Sequence, residues 1–356
     1  MLAGKASVEP VTHFLFGACL GRAGLNRKTG LATLTLVLAA EAPDLDVLWY
    51  FGGSVTGFQH HRGITHTFLG APFVAALTLA GVYGIYRLMK ARGSPPKSPP
   101  NWKWLYICAL LGCLSHIFLD FMNNYGVRPF APFNSRWYSW DIVFIVDPLI
   151  LGLLAFGLVL PGFLSLITEE IGARKTRFRG RGAAIFVLLC VAAVIATRDF
   201  EHRRALNALE SLTYRDEQAL RVSAYPAMLD PFFWYGVVET RDFLEALPVN
   251  SGNSEVDPDN TAVYRYKPEE TPVTLAAKKS RLGQVYLDWA QYPLIETSVL
   301  PDNKGSKVQF QDWRFYQIPI RSERNSPPLA GYVVLGPNLQ VQDMYIGERN
   351  AQKPAR

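Results

Sequence analysis

The chain has 356 residues, a length that favours two domains over one. Hydrophobic residues make up 49% of it and the formal net charge is +6. Much of the basic excess lies in short loops between apolar runs, which argues against a nucleic-acid-binding surface and favours an integral membrane protein. The apolar runs are confined to residues 11–197, whereas residues 200–356 have the mixed composition of a soluble domain.

Six apolar segments are candidate membrane helices. They cover roughly residues 8–24, 29–50, 65–88, 102–122, 142–168 and 183–198. About 20 apolar residues are needed to span the hydrocarbon core of a bilayer, and the third, fourth and fifth segments meet that length well. The first two carry polar residues and could be re-entrant instead. The pattern predicts an α-helical polytopic membrane domain of about six apolar segments.

Basic residues between the segments predict the direction of the chain. They follow the first, third and fifth segments: Arg22, Arg27 and Lys28; Lys90, Arg92, Lys97 and Lys103; Arg174, Lys175, Arg177, Arg179 and Arg181. If the segments alternate, all three clusters lie on one side, and the positive-inside rule makes that side cytoplasmic. We therefore expect a multi-pass protein of the cytoplasmic (inner) membrane with an extracytoplasmic C-terminal region.

The first two segments place polar side chains near the predicted outer face. His13 lies toward the outer end of the first segment, and Asp44 and Asp46 follow Pro43 near the end of the second. An ionised Asp at the centre of a membrane helix costs about 2.5–3.5 kcal/mol, so two of them near an interface imply partners or a cation. Spacing does not separate the two as ligands. The alternatives are a hydrogen-bonded histidine and aspartates that are simply hydrated.

The sequence QHHRGITHTF leads into the third segment and supplies three histidines. His60 and His61 precede the turn expected at Gly63, and His66 begins the apolar helix. A transition from loop to helix can direct two of these imidazoles inward, and the guanidinium of Arg62 suits a phosphate or a carboxylate. A histidine-rich loop can also be merely solvated.

The fourth segment ends in LSHIFLDFMNNYG, which contains a histidine and an aspartate at helical spacing. His116 and Asp120 are four residues apart, so a helix presents both on one face. An imidazole nitrogen and a carboxylate oxygen can then bind the same cation, as in hydrolytic zinc sites. A buried His–Asp hydrogen bond between helices is the structural alternative.

Five of the six histidines occur in the first 116 residues, and all five fall near one predicted membrane face together with the aspartates. This joint occurrence indicates a metal site with these predicted ligands: His13, Asp46, His60, His61, His66, His116 and Asp120. Asp44 is predicted as a catalytic base or a further ligand, and Arg62 as the group that neutralises a phosphate. Asp141 and Asp147 open the fifth segment on the same face. The donor set suits Zn, alternatively Mn or Fe, with one or two ions bound.

The mixed region predicts a small α+β or mainly β soluble domain, and we divide the chain into domains 1–200 and 201–356. The stretch EHRRALNALESL predicts a helix that continues the last apolar segment. The stretches TAVYRYKP, GQVYLDWA, VQFQDWRFYQIPI and AGYVVL are typical of strands separated by turns. All four cysteines lie in the apolar runs, so no disulfide framework is expected.

At the polar residues of the membrane domain the sequence resembles the YdjM-type family of membrane-bound, metal-dependent hydrolases. The matching stretches are PVTHFLFGACLG, APDLDVL, HHRGITHT and LSHIFLDFMNNYG, which hold His13, Asp44, Asp46, His60, His61, His66, His116 and Asp120. The resemblance covers roughly residues 10–150 and implies a hydrolase. The long C-terminal domain departs from the short members. The His/Asp spacing is also loosely similar to that of zinc-dependent phospholipase C, which by analogy implies a phosphodiester substrate.

The sequence therefore predicts a membrane-bound metal-dependent hydrolase that acts at the outer face of the cytoplasmic membrane on a lipid or lipid-linked phosphoester. A site at the level of the headgroups would meet such molecules directly. The expected partners are the lipid bilayer and this substrate, and no nucleic acid. Two alternatives stay open: a transporter or proton relay that uses intramembrane histidines and aspartates, and a non-enzymatic membrane anchor for the C-terminal domain.

Overall fold

The computed structural model describes residues 10–170, 180–258, 260–301, 304–315 and 327–347. The first part is helical, and its helices are α1 (Pro10–Ala23), α2 (Ala32–Glu41), α3 (Ser54–His60), α4 (Ala71–Ala91), α5 (Trp102–Met122), α6 (Pro148–Glu170) and α7 (Arg181–Glu210). Short 3-10 helices lie at Leu25–Arg27, Ala42–Gly52 and Ile64–His66. The second part consists mainly of antiparallel sheets. The predicted order, a helical region followed by a β-rich region, is confirmed.

Three of the described helices, α4, α5 and α7, are long and apolar enough to cross a membrane. Residues Pro148–Gly162 of α6 form a shorter apolar stretch. Helix α4 turns large apolar side chains outward, with Phe73 72% and Leu77 68% exposed, as expected of a helix that faces lipid. The first two predicted segments form α1, with 14 residues, and α2, with 10. A count of six spanning segments stays a prediction.

Helix α2 lies between α1 and α5, and glycines allow the three helices to approach closely. A Cβ atom on Gly112 of α5 would lie 2.7 Å from Ala39 Cβ, and one on Gly17 of α1 would lie 2.9 Å from Leu36 O. Real Cβ atoms essentially never make contacts that short, so both positions require glycine or a shift of the helices. Small residues at helix crossings are the usual means of close packing in membranes. This packing holds the end of α2 against the second half of α5.

Helices α6 and α7 are joined by a buried ion pair. Arg198 of α7 lies 2.6 Å from Asp147 Oδ2, and both side chains are almost fully buried. The other oxygen of Asp147 accepts hydrogen bonds from the backbone N–H groups of Leu149 and Ile150, and thereby caps α6. This aspartate is therefore bound on both oxygens by the protein itself.

Helix α7 runs without a break from its apolar stretch into the charged residues that follow. The helix predicted at EHRRALNALESL forms its last turns. The predicted domain boundary after residue 200 lies inside α7 and stays a prediction. Four basic residues of the predicted third cluster lie outside the described residues: Arg174, Lys175, Arg177 and Arg179.

The described residues of the second part form two antiparallel sheets, a hairpin and two helices. The strands are β1 (Thr213–Tyr214), β2 (Glu217–Gln218), β3 (Arg221–Pro226), β4 (Phe233–Glu239), β5 (Phe243–Asn250), β6 (Glu255–Val256), β7 (Val263–Tyr266), β8 (Pro293–Val299), β9 (Ser306–Asp312), β10 (Gly331–Leu335) and β11 (Val341–Ile346). The helices are α8 (Pro272–Lys279) and α9 (Arg281–Trp289). One sheet has the order β3-β4-β5-β6, with β7 also paired to β5, and the other has the order β11-β10-β9-β8.

Most of the strand predictions are confirmed. The stretches TAVYRYKP and AGYVVL contain β7 and β10, and VQFQD ends β9, whereas residues 316–320 lie outside the described residues. The strand predicted at GQVYLDWA is wrong, because this stretch belongs to α9. Ser280 caps the helix by accepting a hydrogen bond from Gly283 N, and the helix buries one face that contains Tyr286 and Trp289. Burial of a helical face thus outweighs the strand propensity of its Val, Tyr and Trp residues.

The two parts of the chain share a hydrophobic core beside α3. Phe58 of α3 and Tyr125, which follows α5, pack against Tyr286 and Trp289 of α9. The guanidinium of Arg281 donates hydrogen bonds to side chains of α3 at the edge of this core. The sheet region is therefore in contact with the end of the helical region at which α5 stops.

Candidate metal centre

Four buried side chains converge between α2, α5 and the loop before α4. Asp44 lies in the first turn of the 3-10 helix after α2, and His66 ends the short 3-10 helix before α4. His116 and Asp120 share one face of α5, as their spacing predicts. Each of the four offers one ligand atom, and these atoms all lie within 4.8 Å of one another. We call this set the four-ligand group.

The ligand atoms are spaced as they would be around a single cation. The Nε2 atoms of His66 and His116 are 3.0 Å apart. Each of them lies 3.4 Å from Asp44 Oδ1 and 3.4 Å from Asp120 Oδ2. Ligands about 2.0–2.1 Å from a tetrahedral zinc ion are themselves about 3.3 Å apart. The group can therefore hold a metal ion with little rearrangement.

The Nδ1 atoms of His66 and His116 are the outer nitrogen atoms of the two imidazoles, and both face hydrogen-bond acceptors. His116 Nδ1 lies 2.6 Å from the carbonyl oxygen of Ala40, which can only accept, so this nitrogen carries the proton. His66 Nδ1 lies 3.0 Å from Thr65 Oγ1 and 3.4 Å from Asp46 Oδ2, which favours a proton there as well. With both Nδ1 atoms protonated, the two Nε2 lone pairs face each other at 3.0 Å, an arrangement that a metal ion or a proton between them stabilises. Such outer contacts are typical of histidines that bind metals.

Arg62 binds Asp120 through the carboxylate oxygen that does not face the other members of the four-ligand group. Its Nη2 donates to Asp120 Oδ1 at 2.7 Å, and its Nη1 donates to Asn123 Oδ1 at 3.0 Å and Gly126 O at 2.9 Å. The guanidinium also lies 4.8 Å from the centre of the Tyr125 ring. Burial raises the pKa of Tyr125, so the phenol stays neutral beside this cation. The charge of Arg62 is thus used inside the protein, where it compensates Asp120.

Asp46 and His61 lie one layer outside the four-ligand group. Asp46 Oδ1 is 3.2 Å from His61 Nδ1, and Asp46 Oδ2 accepts a hydrogen bond of 2.6 Å from the backbone N–H of Arg62. The same carboxylate faces the outer nitrogen of His66. A carboxylate in this position fixes the orientation and raises the basicity of a histidine ligand.

The two remaining histidine predictions have different surroundings. His13 of α1 stacks on the ring of His116 with 3.9 Å between centroids, and its Nε2 lies 3.5 Å from Asp120 Oδ1. It therefore lies against the four-ligand group without entering it. His60 is half-buried and stacks on Trp49 with 4.3 Å between centroids, outside the group.

The structure also places the aspartates of the fifth predicted segment away from the group. Asp147 pairs with Arg198, as described above. Asp141 faces Arg314 and Asp312 of the sheet region, and burial raises its pKa to about 6. Both therefore take part in contacts between other elements of the fold.

Sequence reasoning missed the residues that surround the ligands. The side chain of Asn123 and the carbonyl group of Gly126 hold Arg62, and the Ala40 carbonyl orients His116. The signal for the first two was present in LSHIFLDFMNNYG, where polar residues and a glycine follow the end of a helix. A backbone carbonyl such as that of Ala40 leaves no signal in the sequence, since every residue has one.

The comparison with protein families gives a match over the region that holds all these residues. The model described as YdjM inner membrane protein matches residues 8–203, which is more than half of the chain. This match includes the complete four-ligand group and confirms the resemblance inferred from the motifs. Together with the apolar helices, it identifies a membrane protein.

One curated relative is "Uncharacterized protein YfhP" from Bacillus subtilis (strain 168). It is 26% identical over 147 residues, which are 39% of this chain and 42% of that protein. The chain thus matches less than half the length of this relative. No solved structure matches the chain.

Proposed function

The chain belongs to the YdjM inner membrane protein family, and from this premise we propose that it is a metal-dependent hydrolase of the cytoplasmic membrane. Its substrate is a lipid or lipid-linked phosphoester, and its site faces the outer side. The observation that carries the proposal is the four-ligand group, in which two imidazole nitrogens and two carboxylate oxygens lie at coordination spacing. The orientation rests on the Lys and Arg residues of the loops.

The four-ligand group suits one divalent ion of Zn, Mn or Fe, because these ions accept mixed imidazole and carboxylate ligands. When bound, such an ion polarises a phosphoryl oxygen and lowers the pKa of a bound water. Four protein ligands fill a tetrahedral shell. An ion with five or six ligands would leave room for substrate, and Mn and Fe adopt such shells readily.

Asp44 is the residue we assign to proton transfer. Its Oδ1 belongs to the four-ligand group, whereas no hydrogen-bond donor among the described residues reaches its Oδ2. At 9% exposure its residue is also the least buried of the four. A carboxylate oxygen that is next to the ligands and free of donors can accept the proton of an attacking water.

The 3-10 helix after α2 supports a lipid-like substrate. Its acidic residues Asp44 and Asp46 are buried, while the intervening and following apolar side chains are exposed, with Leu45 at 54%, Leu48 at 58% and Phe51 at 91%. One face of this short helix therefore carries the site and another is available to acyl chains. A substrate with a phosphoester headgroup and a lipid tail matches both faces.

The test uses the full-length protein in detergent or nanodiscs. We expect about one Zn, Mn or Fe per chain, and hydrolysis of phosphoesters that carry acyl chains. His116→Ala removes both, while His60→Ala, the matched control outside the group, retains both. Full hydrolysis by a folded His116→Ala protein would overturn the proposal. Thermal unfolding of each variant checks that loss of metal is not loss of fold.

A structural metal site is the second candidate. All four ligand residues are at most 9% exposed and come from three separate elements, which is typical of a closed site that ties a fold together. In that case a chelator lowers the unfolding temperature, and the metal-loaded protein hydrolyses no phosphoester. The same purified protein thus decides between the two candidates.

A further inference from the structure

The turn after α5 connects the four-ligand group with the sheet region. It consists of residues Asn123–Gly126, and it begins only three residues after the ligand Asp120. Gly126 has φ of 84°, a left-handed conformation that glycine adopts at little cost. The following residue, Val127, exchanges backbone hydrogen bonds with Tyr138. The turn is therefore tightly shaped, and a shift in it moves the groups that it presents to Arg62.

The inner side of this turn faces Arg62. Asn123 Oδ1 accepts hydrogen bonds from Arg62 Nη1 at 3.0 Å and from the backbone N–H of Tyr125 at 2.9 Å. Gly126 O accepts a second bond from Arg62 Nη1 at 2.9 Å. The remaining terminal nitrogen, Nη2, donates to Asp120 Oδ1. The position of the turn thus determines the position of Arg62, and through it that of a metal ligand.

The outer side of the turn is held by two residues of the sheet region. Arg314 Nη1 donates to Asn124 O at 2.7 Å, and Trp289 Nε1 donates to Tyr125 O at 3.1 Å. Both side chains are buried, at 3% and 2% exposure. Arg314 is itself fixed by Asp312, whose Oδ2 lies 2.9 Å from two of its nitrogens. Two consecutive carbonyl groups are therefore bound by a rigid, buried pair of donors.

We propose that Trp289 and Arg314 are positioning residues of the metal centre, which act through the Asn123–Gly126 turn on Arg62 and Asp120. The inference rests on the proposed metal site and extends it beyond residue 203, where the family match ends. It gives the sheet region a role in metal affinity. Outer contacts of this kind typically change metal affinity by about 10- to 100-fold when they are lost.

The experiment measures Co²⁺ affinity and the visible absorption spectrum of bound Co²⁺ in the full-length protein. Trp289→Phe keeps an aromatic ring in the core but removes the donor to Tyr125 O. We expect an affinity about tenfold lower and a changed spectrum. The matched control is Trp234→Phe, because Trp234 is 1% exposed and its Nε1 has no hydrogen-bond partner among the described residues. This control leaves both readouts unchanged.

A double-mutant cycle tests the route of the effect. Asn123→Ala removes one of the two groups through which the turn holds Arg62, so the effect of Trp289→Phe on Co²⁺ affinity is expected to be smaller in that background than in the wild type. Independent, additive effects on affinity would overturn the proposed route. If Trp289→Phe does not fold, Arg314→Lys replaces it, since it keeps the charge opposite Asp312 and changes the donor to Asn124 O.

The outcomes separate the two proposals. If the wild-type protein binds Co²⁺ and the Co²⁺ affinities of Trp289→Phe and Arg314→Lys both equal that of the control, the positioning role is overturned and the metal site stays intact. Wild-type protein that is folded but takes up no Co²⁺, Zn²⁺ or Mn²⁺ overturns the metal site and the positioning role together.

Discussion

Two buried Arg–Asp pairs, in different regions of the molecule, have similar distances but different surroundings. Arg198 lies 2.6 Å from Asp147 between α6 and α7, and Arg62 lies 2.7 Å from Asp120 beside α5. The protein binds both oxygens of Asp147, because backbone N–H groups at the start of α6 occupy the other one. Asp120 turns its second oxygen toward His116 and the rest of the four-ligand group.

The difference shows which feature distinguishes an aspartate of the candidate metal centre from an aspartate that only joins two helices. Burial and pairing with arginine are common to both aspartates, and a buried ion pair is by itself weak support for any function. The distinguishing feature is the group that faces the second oxygen: Asp147 Oδ2 lies 2.6 Å from the guanidinium of Arg198, whereas Asp120 Oδ2 lies 3.4 Å from the Nε2 atoms of His66 and His116. Asp44 Oδ2 and Asp120 Oδ2 have no hydrogen-bond donor among the described residues, and both carboxylates lie beside two imidazoles. Buried polar atoms are nearly always satisfied, so this combination calls for a ligand.

The largest effect is expected at the pair of Arg62 and Asp120, which belongs to the candidate metal centre. Asp120→Asn replaces a charged ligand with a neutral amide and leaves the cation of Arg62 uncompensated. We expect this variant to lose stoichiometric metal, as measured by elemental analysis of the protein after gel filtration. A folded Asp120→Asn protein with wild-type metal content would place the metal elsewhere and remove the distinction drawn above.

For the pair of Arg198 and Asp147, we expect a substitution to change the stability of the fold and not the metal content. Asp147→Asn leaves Arg198 buried without its counter-charge, and breaking such a pair costs about 3–5 kcal/mol. Unfolding in mixed detergent micelles measures the loss, and elemental analysis of the remaining folded protein gives the metal content, which stays at the wild-type value. A variant that keeps its stability but releases the metal would show that the two regions are not independent.

The sequence predicted the members of the site better than their arrangement. The spacing of His116 and Asp120 was sufficient to place both on one helical face, because α5 is a regular helix. Asp44 and Asp46 could not be separated, since the segment that carries them is a 3-10 helix whose direction is set by its packing against α2 and α3. The pairing of Arg62 with Asp120 is a tertiary contact, which spacing in the sequence does not reveal. The predicted role of Arg62 in neutralising a phosphate stays a prediction.

The sheet region illustrates a second limit. Alternating residues predicted β7 and β10, but α9 was missed because only its burial against the α3 side of the helical region reveals its amphipathic face. The contacts of Trp289 and Arg314 with the turn after α5 join residues 164 and 190 positions apart. Spacing rules describe neighbours within an element, so they contain no information about such contacts.

Asp141 is a third carboxylate to compare with Asp120 and Asp147. It lies outside the four-ligand group and lacks a full set of hydrogen-bond donors among the described residues. Burial is the main cause that raises its pKa to about 6, and the nearby Arg314 opposes the rise. The folded state therefore binds a proton that the unfolded chain releases near pH 4, and this contribution to stability is lost as the pH rises from about 4 to about 6.

The corresponding variant is Asp141→Asn, which cannot titrate. Its free energy of unfolding, relative to wild type, is expected to increase between pH 4 and pH 7 by up to about 3 kcal/mol, the value of a shift of about two pKa units. Unfolding curves at several pH values measure this difference. A difference that is constant with pH would show that Asp141 is ionised in the folded protein and has a partner.

The smallest effect is expected from a change in the packing of α2 against α5, which tests whether this packing influences metal binding. Gly112→Ala places a Cβ against Ala39 Cβ and separates α2 from α5, which costs about 1–3 kcal/mol for an overpacked contact. Because Ala40 O orients His116, the same shift is expected to weaken metal binding. Gly81→Ala of α4 is the matched control, since no atom lies within 4 Å of its added Cβ. If Gly112→Ala lowers stability as expected while metal affinity stays at the control value, the His116 orientation is independent of the α2–α5 packing.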